Sequence, residues 1–454
     1  MATDVTVQLL TLVITTSPTP SAPSTELLSQ VIESFRSFCP VLLACRVIVV
    51  LDTFDHIAPR ARLKRGQVTE KDAEVYDLYK EKVKELFLSE HGRHPSAPAS
   101  ANGGAASGVH NASFPNPTVT GDHGLPGGDA RPMPDLVESR GEAEFGYEGR
   151  NNPLNSAVLL TISQTRDGMV TFVEPADRLG FGLAVRTGLR LAETKYVWVH
   201  QHDWTLVTKI PIAGMLDVMM ASGDSPADEG TAPSGSPEEA SANLDVASCA
   251  PPIKYICLPS GRLLSYAVQA HVTRYPALLR TTGKLKQSFV PSGSTTPTDL
   301  DSESPLPPIS SSIPLTPLFF WHDKPHIAET AHYLARVFPT RLAMGRGDFI
   351  EDTVGHRARN QMKDGAWAKW ACWLYYPDDG KRLCLRHLQG RHWLGSTAEQ
   401  ERKETWIALN IKGGRKMALK NKKKQLSKAD PGEAGTKLEA ADVDEFTTSL
   451  AEAL

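Results

Sequence analysis

Apolar residues in the first 51 positions fall into three patterns that together predict a βαβ unit. Residues 5–14 are apolar enough for a strand buried on both faces, and the loop TTSPTPSAPST follows them. Apolar residues between 26 and 38 then recur at helical spacing, with Thr25 as the expected N-cap. The run CRVIVVL at 45–51 has the continuous apolar character of an inner parallel strand.

The same reasoning assigns elements to the rest of the chain. Helices are expected at 68–90, 325–338 and 349–362, and in a Gly- and Ala-rich run that begins at Gly180. Strands are expected at 157–163, 196–199, 253–258 and 315–321. The segments WACWLYYP and RLCLRHL form a predicted hairpin, joined by turn residues at 378–380.

Three tracts rich in Gly, Pro, Ala and Ser interrupt this pattern. They lie near 91–149, 221–251 and 291–314, and we expect them to be flexible insertions because none has the apolar residues to build a core. From 411 to 454 the chain is first basic and then acidic, which predicts a mobile tail. Residues 1–410 then form a single α/β domain with a mainly parallel central sheet flanked by helices.

Composition narrows the class of protein. The chain is 41% hydrophobic and 22% charged, as in soluble globular proteins, and its net charge of -3 argues against a nucleic-acid binder. The six cysteines form no CxxC pair, so a reducing compartment is expected. No run of about 18 apolar residues is present to span a membrane. The amino terminus lacks a basic region typical of signal peptides, which favours a cytoplasmic location.

The most informative segment is the run from Gly180 to Leu206. Four small residues leave one side of its helix thin enough to lie close against a sheet: Gly182, Ala184, Gly188 and Ala192. The strand that follows ends abruptly in His200-Gln201-His202-Asp203, and ligands are held at the carboxyl ends of such strands. His202 and Asp203 could converge there on a metal or a phosphate. The alternative is a strand end whose polar residues only cap a loop, with Trp204 packed beneath.

A second group of candidates lies at the same sheet edge. The loop 15–25 follows the first strand and Asp52 ends the second, so both are expected beside Asp203. The amino end of helix 26–38 points to this edge and is a natural phosphate site, while Asp52 can accept hydrogen bonds from a base or ribose. Ordinary turn chemistry is the competing explanation for each of these residues taken alone.

Two further clusters allow both a functional and a structural explanation. Asp348, Asp352, His356 and Arg359 share one face of a predicted helix, where a carboxylate could act as a general base or simply be solvated. Five of the eight Trp residues lie between 321 and 393, with nearby His and Arg residues. They could line a stacking surface for a sugar or base, or belong to the core. His322, Asp323 and His326 could be metal ligands.

These motifs resemble those of GT-A-fold glycosyltransferases, particularly the large inverting family 2. The similarity begins with the first strand, its TTSPTP loop, the helix and CRVIVVLD. The run GFGLAVRTGLRLAETKYVWVHQHD is similar to that family's small-residue helix, strand and DXD motif, although only Asp203 keeps a carboxylate here. The segment IEDTVGHR is similar to the later Glu-Asp element that supplies the catalytic base, with an Arg following.

The resemblance implies a role for each matching residue. The substrate-binding residues would be Thr15, Thr16, Ser17, Asp52, Arg178, Trp204 and Arg357. A divalent metal, Mn or Mg, would be held by Asp203, His202 and His387. The catalytic pair would be Asp352 as the base, with Glu351 beside it. The implied reaction moves a sugar from a nucleotide-sugar donor to an unidentified hydroxyl acceptor, with the metal neutralising the leaving phosphates. A nucleotidyltransferase of the same fold and a catalytically degenerate scaffold protein are the alternatives.

Overall fold

A computed structural model describes residues 2–92, 134–146, 157–223, 251–291, 312–405 and 407 of the chain. Its α-helices are α1 (Ala2–Leu9), α2 (Glu26–Phe38), α3 (Val41–Ala44), α4 (Glu70–His91), α5 (Phe181–Leu191), α6 (Ile212–Gly223), α7 (Ala270–Thr273), α8 (Pro276–Leu285), α9 (Thr330–Val337), α10 (His356–Lys363) and α11 (Trp367–Trp370). A π-helical turn, Glu351–Gly355, precedes α10.

The strands form one large sheet and two small ribbons. They are β1 (Leu10–Thr16), β2 (Arg46–Leu51), β3 (His56–Ile57), β4 (Gln67–Val68), β5 (Leu136–Ala143), β6 (Val158–Thr165), β7 (Val170–Pro175), β8 (Tyr196–Gln201), β9 (Trp204–Leu206), β10 (Tyr255–Cys257), β11 (Gln287–Phe289), β12 (Ile313–Pro317), β13 (His326–Glu329), β14 (Cys372–Tyr375) and β15 (Leu385–His387). The large sheet has eleven strands in the order β11-β12-β14-β10-β13-β8-β1-β2-β7-β6-β5, while β15 pairs with β9 and β3 with β4.

The large sheet is mixed, which corrects the expectation of a mainly parallel one. Its centre, β7-β2-β1-β8, is parallel, as is the pair β10·β14. Strand β13 runs antiparallel to both of its neighbours, and β5-β6-β7 form an antiparallel meander. Strands β6 and β7 pair antiparallel because the connection between them is short. Only residues 166–169 join β6 to β7, whereas a parallel crossover needs a dozen residues or more.

The predicted βαβ unit is present, with one change at its start. Helix α2 spans 26–38 as expected and buries Leu28, Val31, Ile32 and Phe35, while β1 and β2 lie side by side in parallel. The apolar run that begins at Val5 is divided, however, because α1 occupies its first part and β1 starts only at Leu10. All seven residues of β1 are buried.

The thin side of α5 lies against the sheet as its small residues predict. A Cβ atom added at Gly188 would lie 2.5 Å from Cγ1 of Val13 on β1, so no larger residue fits without a shift. Gly182 serves a different contact, since its Cβ would meet the side chain of Met344. The small residues therefore bring α5 close both to the sheet and to the loop that precedes the π-helical turn.

Several predicted elements in the second half of the chain are wrong. The expected helix 325–338 begins with a strand, β13, and the expected helix 349–362 begins with the π-helical turn. The expected hairpin does not form, since β14 pairs with β10 and β12 while β15 pairs with β9. The local apolar patterns are compatible with both the expected and the observed elements. Pairing with strands from other parts of the chain determines which element forms.

Parts of the proposed insertions and the whole proposed tail at 411–454 lie outside the described residues. Within 91–149, residues 136–143 form β5 at the edge of the large sheet, so this tract is not wholly an irregular insertion. Among the residues the structure describes, no helix has both the length and the apolar character needed to cross a membrane.

Candidate functional site

A reversal of strand order at the centre of the sheet opens a cleft at its carboxyl edge. From β1 the chain passes to β2 and then to β7 on one side, and β8 returns to the other side of β1. Ligands of open α/β sheets bind at such switch points. The space between the walls of the cleft, counted out to open solvent, is about 730 Å³. Its lining includes Thr15, Thr16, Ser17, Asp52 and Asp203, which the sequence places at this edge.

The end of β1 is fixed by contacts on both sides. The Thr16 hydroxyl lies 2.8 Å from the hydroxyl of the buried Tyr79 on α4. The carbonyl of Thr15 accepts a hydrogen bond from the His202 amide at 3.1 Å, which ties the first loop to the end of β8. No residue of α2 lines the cleft, so the phosphate site expected at its amino end is not found there. The carboxylate of Glu26 on α2 instead accepts the amide of Ser396.

Asp52 uses both carboxylate oxygens to hold the amino end of α5. One oxygen accepts the Leu179 amide at 2.7 Å and the other accepts the Gly180 amide at 2.9 Å. Burial raises the pKa of Asp52 to about 6, although these two hydrogen bonds oppose the increase. Asp52 therefore lies in the cleft as predicted, and its carboxylate positions the backbone that forms the cleft wall.

Asp203 is held differently, with one oxygen bonded and the other free. Its Oδ2 accepts the Gly390 amide and lies 3.0 Å from Nε2 of His387, whereas its buried Oδ1 has no hydrogen-bond partner. Burial favours a raised pKa, but the His387 imidazole and the Gly390 amide outweigh it and hold the pKa of Asp203 well below its ordinary value. The residue is an ionised carboxylate with one oxygen available to a ligand.

The two histidines of the HQHD run have different surroundings. His200 is fully buried, and its ring nitrogens meet the Trp198 indole and the Trp204 carbonyl, so its role is structural. Burial lowers the pKa of His200 to about 4. His202 lines the cleft, and its Nδ1 is buried without a hydrogen-bond partner. Burial lowers the pKa of His202 too, which favours the neutral imidazole, the form that binds metal ions.

These atoms define what a metal ion would find in the cleft. No group of three or more His, Cys, Asp and Glu side chains is arranged for a metal within the described part of the chain. Asp203 Oδ1 and His202 Nδ1 are nevertheless unsatisfied, and Mg²⁺ is commonly bound by one or two carboxylates together with substrate phosphates, so Asp203 is the ligand of the two that suits it. Nε2 of His387 is engaged by Asp203, so His387 supports the carboxylate through that nitrogen.

Two cations of the cleft face a single aromatic ring. Lys64 Nζ lies 5.6 Å and Arg391 Cζ 5.2 Å from the centre of the Phe349 ring, and all three residues line the cleft. Neither cation forms an ion pair with another described residue. Arg178 also lines the cleft, but its guanidinium is bound by Asp55 and the Lys64 carbonyl, each at 3.0 Å. The free positive charge in the cleft therefore comes from Lys64 and Arg391.

The predicted acid–base residues lie outside the cleft lining. The Glu351 carboxylate contacts His322 Nδ1 and the Asp323 amide, each at 3.3 Å. Burial opposes the effect, but His322 and Lys324 lower the pKa of Glu351 to about 2. Burial and the charge of Glu351 raise the pKa of Asp323 well above its ordinary value. The Asp323 carbonyl accepts the amide of Gln201, which does line the cleft, so this acidic cluster adjoins it.

Asp352 and Arg357 are exposed on the π-helical turn and α10. The Asp352 carboxylate makes no hydrogen bond or ion pair to another described residue. Arg357 contacts the Arg336 carbonyl and lies over the Trp370 ring, away from the cleft. The sequence predicted that Asp348, Asp352, His356 and Arg359 share one face of a helix. Because the π-helical turn distorts this helix, they do not line up on a single face.

The tryptophans considered for a site are buried side chains. Trp204 is buried and stacks on His387 with ring centres 4.5 Å apart, outside the cleft lining. The five residues considered for a stacking surface are also buried: Trp321, Trp367, Trp370, Trp373 and Trp393. His326 is equally buried, and its pKa falls to about 3 because of that burial. The structural explanation therefore holds for this cluster.

Sequence reasoning missed Lys64 and Phe349 and assigned no cleft role to Arg391. Lys64 lies in an irregular basic turn, and Arg391 follows the Gly390 amide that binds Asp203. Gly180 and Gly347 both have φ values of 80° and their backbones lie in contact, and nearby the Phe349 ring stacks on that of Phe181. The paired glycines were the sequence feature that could have indicated this contact. Comparison with known proteins finds no family model that matches the chain and no similar characterised protein.

Proposed function

We propose that this protein is a glycosyltransferase that uses a nucleotide-sugar donor and a divalent metal. The proposal is based on the cleft that lies where the strand order reverses beside β1. It brings the end of β1, Asp52 and Asp203 together with two free cations. A nucleoside diphosphate has both an aromatic base and a charged diphosphate, and the cleft offers complementary groups for each.

Each part of the cleft would contact a different part of the donor. The loop after β1 and the backbone held by Asp52 form the wall for the nucleobase and ribose. Lys64 and Arg391 supply positive charge for the diphosphate, which would insert next to the Phe349 ring. Charge-assisted hydrogen bonds to phosphate are the strongest contacts of this kind. Together these groups would hold the scissile bond at the carboxyl edge of β8.

The leaving diphosphate needs stabilisation, and Asp203 with His202 would hold the metal that provides it. A bound divalent cation neutralises charge on the leaving oxygens. The residues present fit that group because Asp203 Oδ1 and His202 Nδ1 are both unsatisfied. Asp352, with its free carboxylate, would accept the proton of the acceptor hydroxyl, and exposure allows an acceptor to reach it.

A thermal-shift experiment tests the proposal. UDP, GDP, ADP and their sugar conjugates are added with Mn²⁺ or with EDTA. A ligand at about 100 times its Kd stabilises by about 2.7 kcal/mol, so we expect Tm to rise by about 3–5 °C with metal. Asp203→Ala should remove the metal-dependent part of the shift. If no nucleotide raises Tm under any condition, the enzymatic proposal is wrong and a scaffold role is favoured.

Turnover is tested separately, with release of nucleoside diphosphate as the readout. Asp352→Ala should retain the thermal shift but lower turnover by about 100-fold or more, the usual size of a lost general base. Asp364→Ala, another exposed carboxylate at the end of α10, is the matched control and should keep full activity. Full turnover in Asp352→Ala would refute the base assignment. Release of pyrophosphate from a nucleoside triphosphate supplied with a sugar phosphate, without turnover of nucleotide sugars, would favour a nucleotidyltransferase.

A further inference from the structure

The forty residues from 251 to 290 contain six Lys and Arg residues and not one Asp or Glu. These cations are Lys254, Arg262, Arg274, Arg280, Lys284 and Lys286. Lys254 pairs with Glu329, and Lys286 pairs with Asp379. Arg274, Arg280 and Lys284 are exposed and form no ion pair with any described residue. This segment therefore presents uncompensated positive charge, unlike the chain as a whole.

The same segment exposes unusually much apolar surface. Val268 is 72% exposed, Val290 66%, Leu279 46% and Tyr275 41%. On α8, Leu278 and Thr282 face the core, whereas Leu279, Arg280 and Gly283 face outward. Even a Cβ added at Gly283 would meet no atom within 4 Å, so this side of the helix is open. Apolar and cationic side chains are mixed on one exposed surface.

We name this surface the α7–α8 face and define it by Val268, Arg274, Tyr275, Leu279, Arg280 and Lys284. Lys363 of α10 adds a further cation, since its Nζ lies 3.9 Å from the centre of the Tyr275 ring. The exposed side of α4 is a useful contrast. Leu78 is 50% exposed there, but α4 carries seven acidic residues and four lysines. Exposed leucine alone is ordinary, whereas the α7–α8 face combines apolar side chains with an excess of cations.

The chain that forms the α7–α8 face leaves the sheet at the edge that forms the cleft, and α8 then runs towards the opposite edge, where β11 begins. Strand β13 is antiparallel to both β8 and β10, so β8 and β10 run in the same direction. The segment that leads into α7 and α8 therefore leaves β10 at its carboxyl end, at the edge where β8 ends in the cleft. Lys324 donates to Ser260 in this segment, and its neighbour Asp323 accepts the amide of Gln201 in the cleft lining.

We propose that the α7–α8 face docks the protein on an anionic membrane surface, where Val268, Tyr275 and Leu279 enter the headgroup region. Basic residues attract anionic lipids, and exposed aliphatic and aromatic side chains insert at the boundary between headgroups and acyl chains. Tyrosine is a residue of membrane interfaces because its ring is apolar and its hydroxyl is wet. A protein that lies on a membrane needs no spanning helix. The proposed docking does not depend on the reaction that the cleft performs.

Vesicle co-sedimentation of the full chain tests this assignment. The vesicles are phosphatidylcholine alone, or phosphatidylcholine with 30 mol% phosphatidylserine, a mole fraction chosen as roughly that of an anionic leaflet. We expect binding to the anionic vesicles only, with strong weakening when salt is raised from about 0.1 to about 1 M, where the Debye length falls to about 3 Å. No nucleotide is needed, so failure here leaves the proposed transferase function untouched.

The variants separate charge from apolar insertion. Arg274→Gln, Arg280→Gln and Lys284→Gln together should lower the vesicle affinity about 100-fold, at about fivefold per cation. Leu279→Ser should weaken binding without changing its salt dependence, and Gly283→Glu should weaken it by adding a negative charge in open space. The matched control replaces three exposed cations elsewhere, Lys71→Gln, Lys82→Gln and Arg140→Gln, and should bind as wild type.

Three results would overturn the proposal. The first is equal binding to both kinds of vesicle, or no binding to either. The second is equal loss of affinity in the control variant, since that would make total charge the cause. In the third, the α7–α8 variants leave vesicle binding unchanged but shift the protein from dimer to monomer in light scattering. That outcome would assign the surface to a second copy of the chain.

Discussion

Asp52 and Asp203 line the same cleft, but their carboxylate oxygens are hydrogen-bonded differently. This difference indicates a different role for each residue. Both oxygens of Asp52 accept backbone amides, so it holds the wall of the cleft. Asp203 has one oxygen anchored and one unsatisfied, so it is the residue available to a ligand. A buried acceptor without a partner costs about 1–3 kcal/mol, and such a cost is commonly retained at functional sites.

The pKa of Asp52 predicts an unusual dependence of stability on pH. Its pKa is about 6 in the folded protein and about 3.9 in an unfolded chain. The folded state therefore binds the proton more tightly, so this group's stabilising contribution is complete below about pH 4 and is lost as pH rises through 6. The difference between these two pKa values corresponds to about 3 kcal/mol in the free energy of unfolding.

Urea unfolding of the wild type and Asp52→Asn between pH 4 and pH 7 measures this effect. The free energy of unfolding of the wild type, relative to the variant, should fall by about 2 kcal/mol over that interval, because the unfolded carboxyl is already half ionised at pH 4. Other groups titrate equally in both proteins and cancel in the difference. A difference that stays constant with pH would show that Asp52 has an ordinary pKa in the fold.

At the scale of the element, α5 can lie close to β1 because Gly188 has no side chain. A methyl group at Gly188 would lie 2.5 Å from Val13, whereas one at Gly283 on α8 would meet nothing. Gly188→Ala should therefore lower the free energy of unfolding by about 1–3 kcal/mol through overpacking. Gly283→Ala should raise it by about 0.5–1 kcal/mol through helix propensity. Chemical denaturation of both variants checks the opposite signs, and a stabilised Gly188→Ala would refute the close contact.

Elements with a strong internal pattern could be predicted from the sequence. Helix α2 and strands β2 and β8 have regular apolar spacing and lie within one or two residues of their expected bounds. The split between β13 and α9 could not be predicted, because residues 325–338 fit a helical pattern throughout. The strand forms because β8 and β10 both offer edges to residues 326–329. Tertiary pairing of this kind overrides local preference.

At the scale of the whole molecule, one sheet and one continuous core join both halves of the chain. The core extends from Leu10 on β1 to Leu385 on β15. We therefore expect a single cooperative transition in calorimetry, with equal calorimetric and van't Hoff enthalpies. Gly188→Ala should shift that transition as a whole. Two resolved transitions, with only the first moved by the variant, would show that the strands beyond β8 unfold as a separate unit.

The site was predictable where strand order alone determines proximity. The end of β1, Asp52 and Asp203 converge because three parallel neighbours end at the same edge. Lys64, Phe349 and Arg391 come from three irregular segments whose approach depends on glycine contacts and loop geometry. No periodicity encodes such an approach. Asp352 was expected beside the same cleft, but the π-helical turn that carries it lies outside the cleft lining.

The anchoring of Asp203 also has a consequence for how the protein is made. Its partners His387 and Gly390 follow it by 184 and 187 positions, and the Leu388 amide binds its carbonyl. A ribosome therefore delivers β1, β2 and β8 long before the residues that orient this carboxylate. Arg391, which with Lys64 contacts the Phe349 ring, emerges just after them. A nascent chain that stalls before residue 385 has the central strands of the cleft but lacks these groups, so the cleft is complete only after residue 391 has emerged.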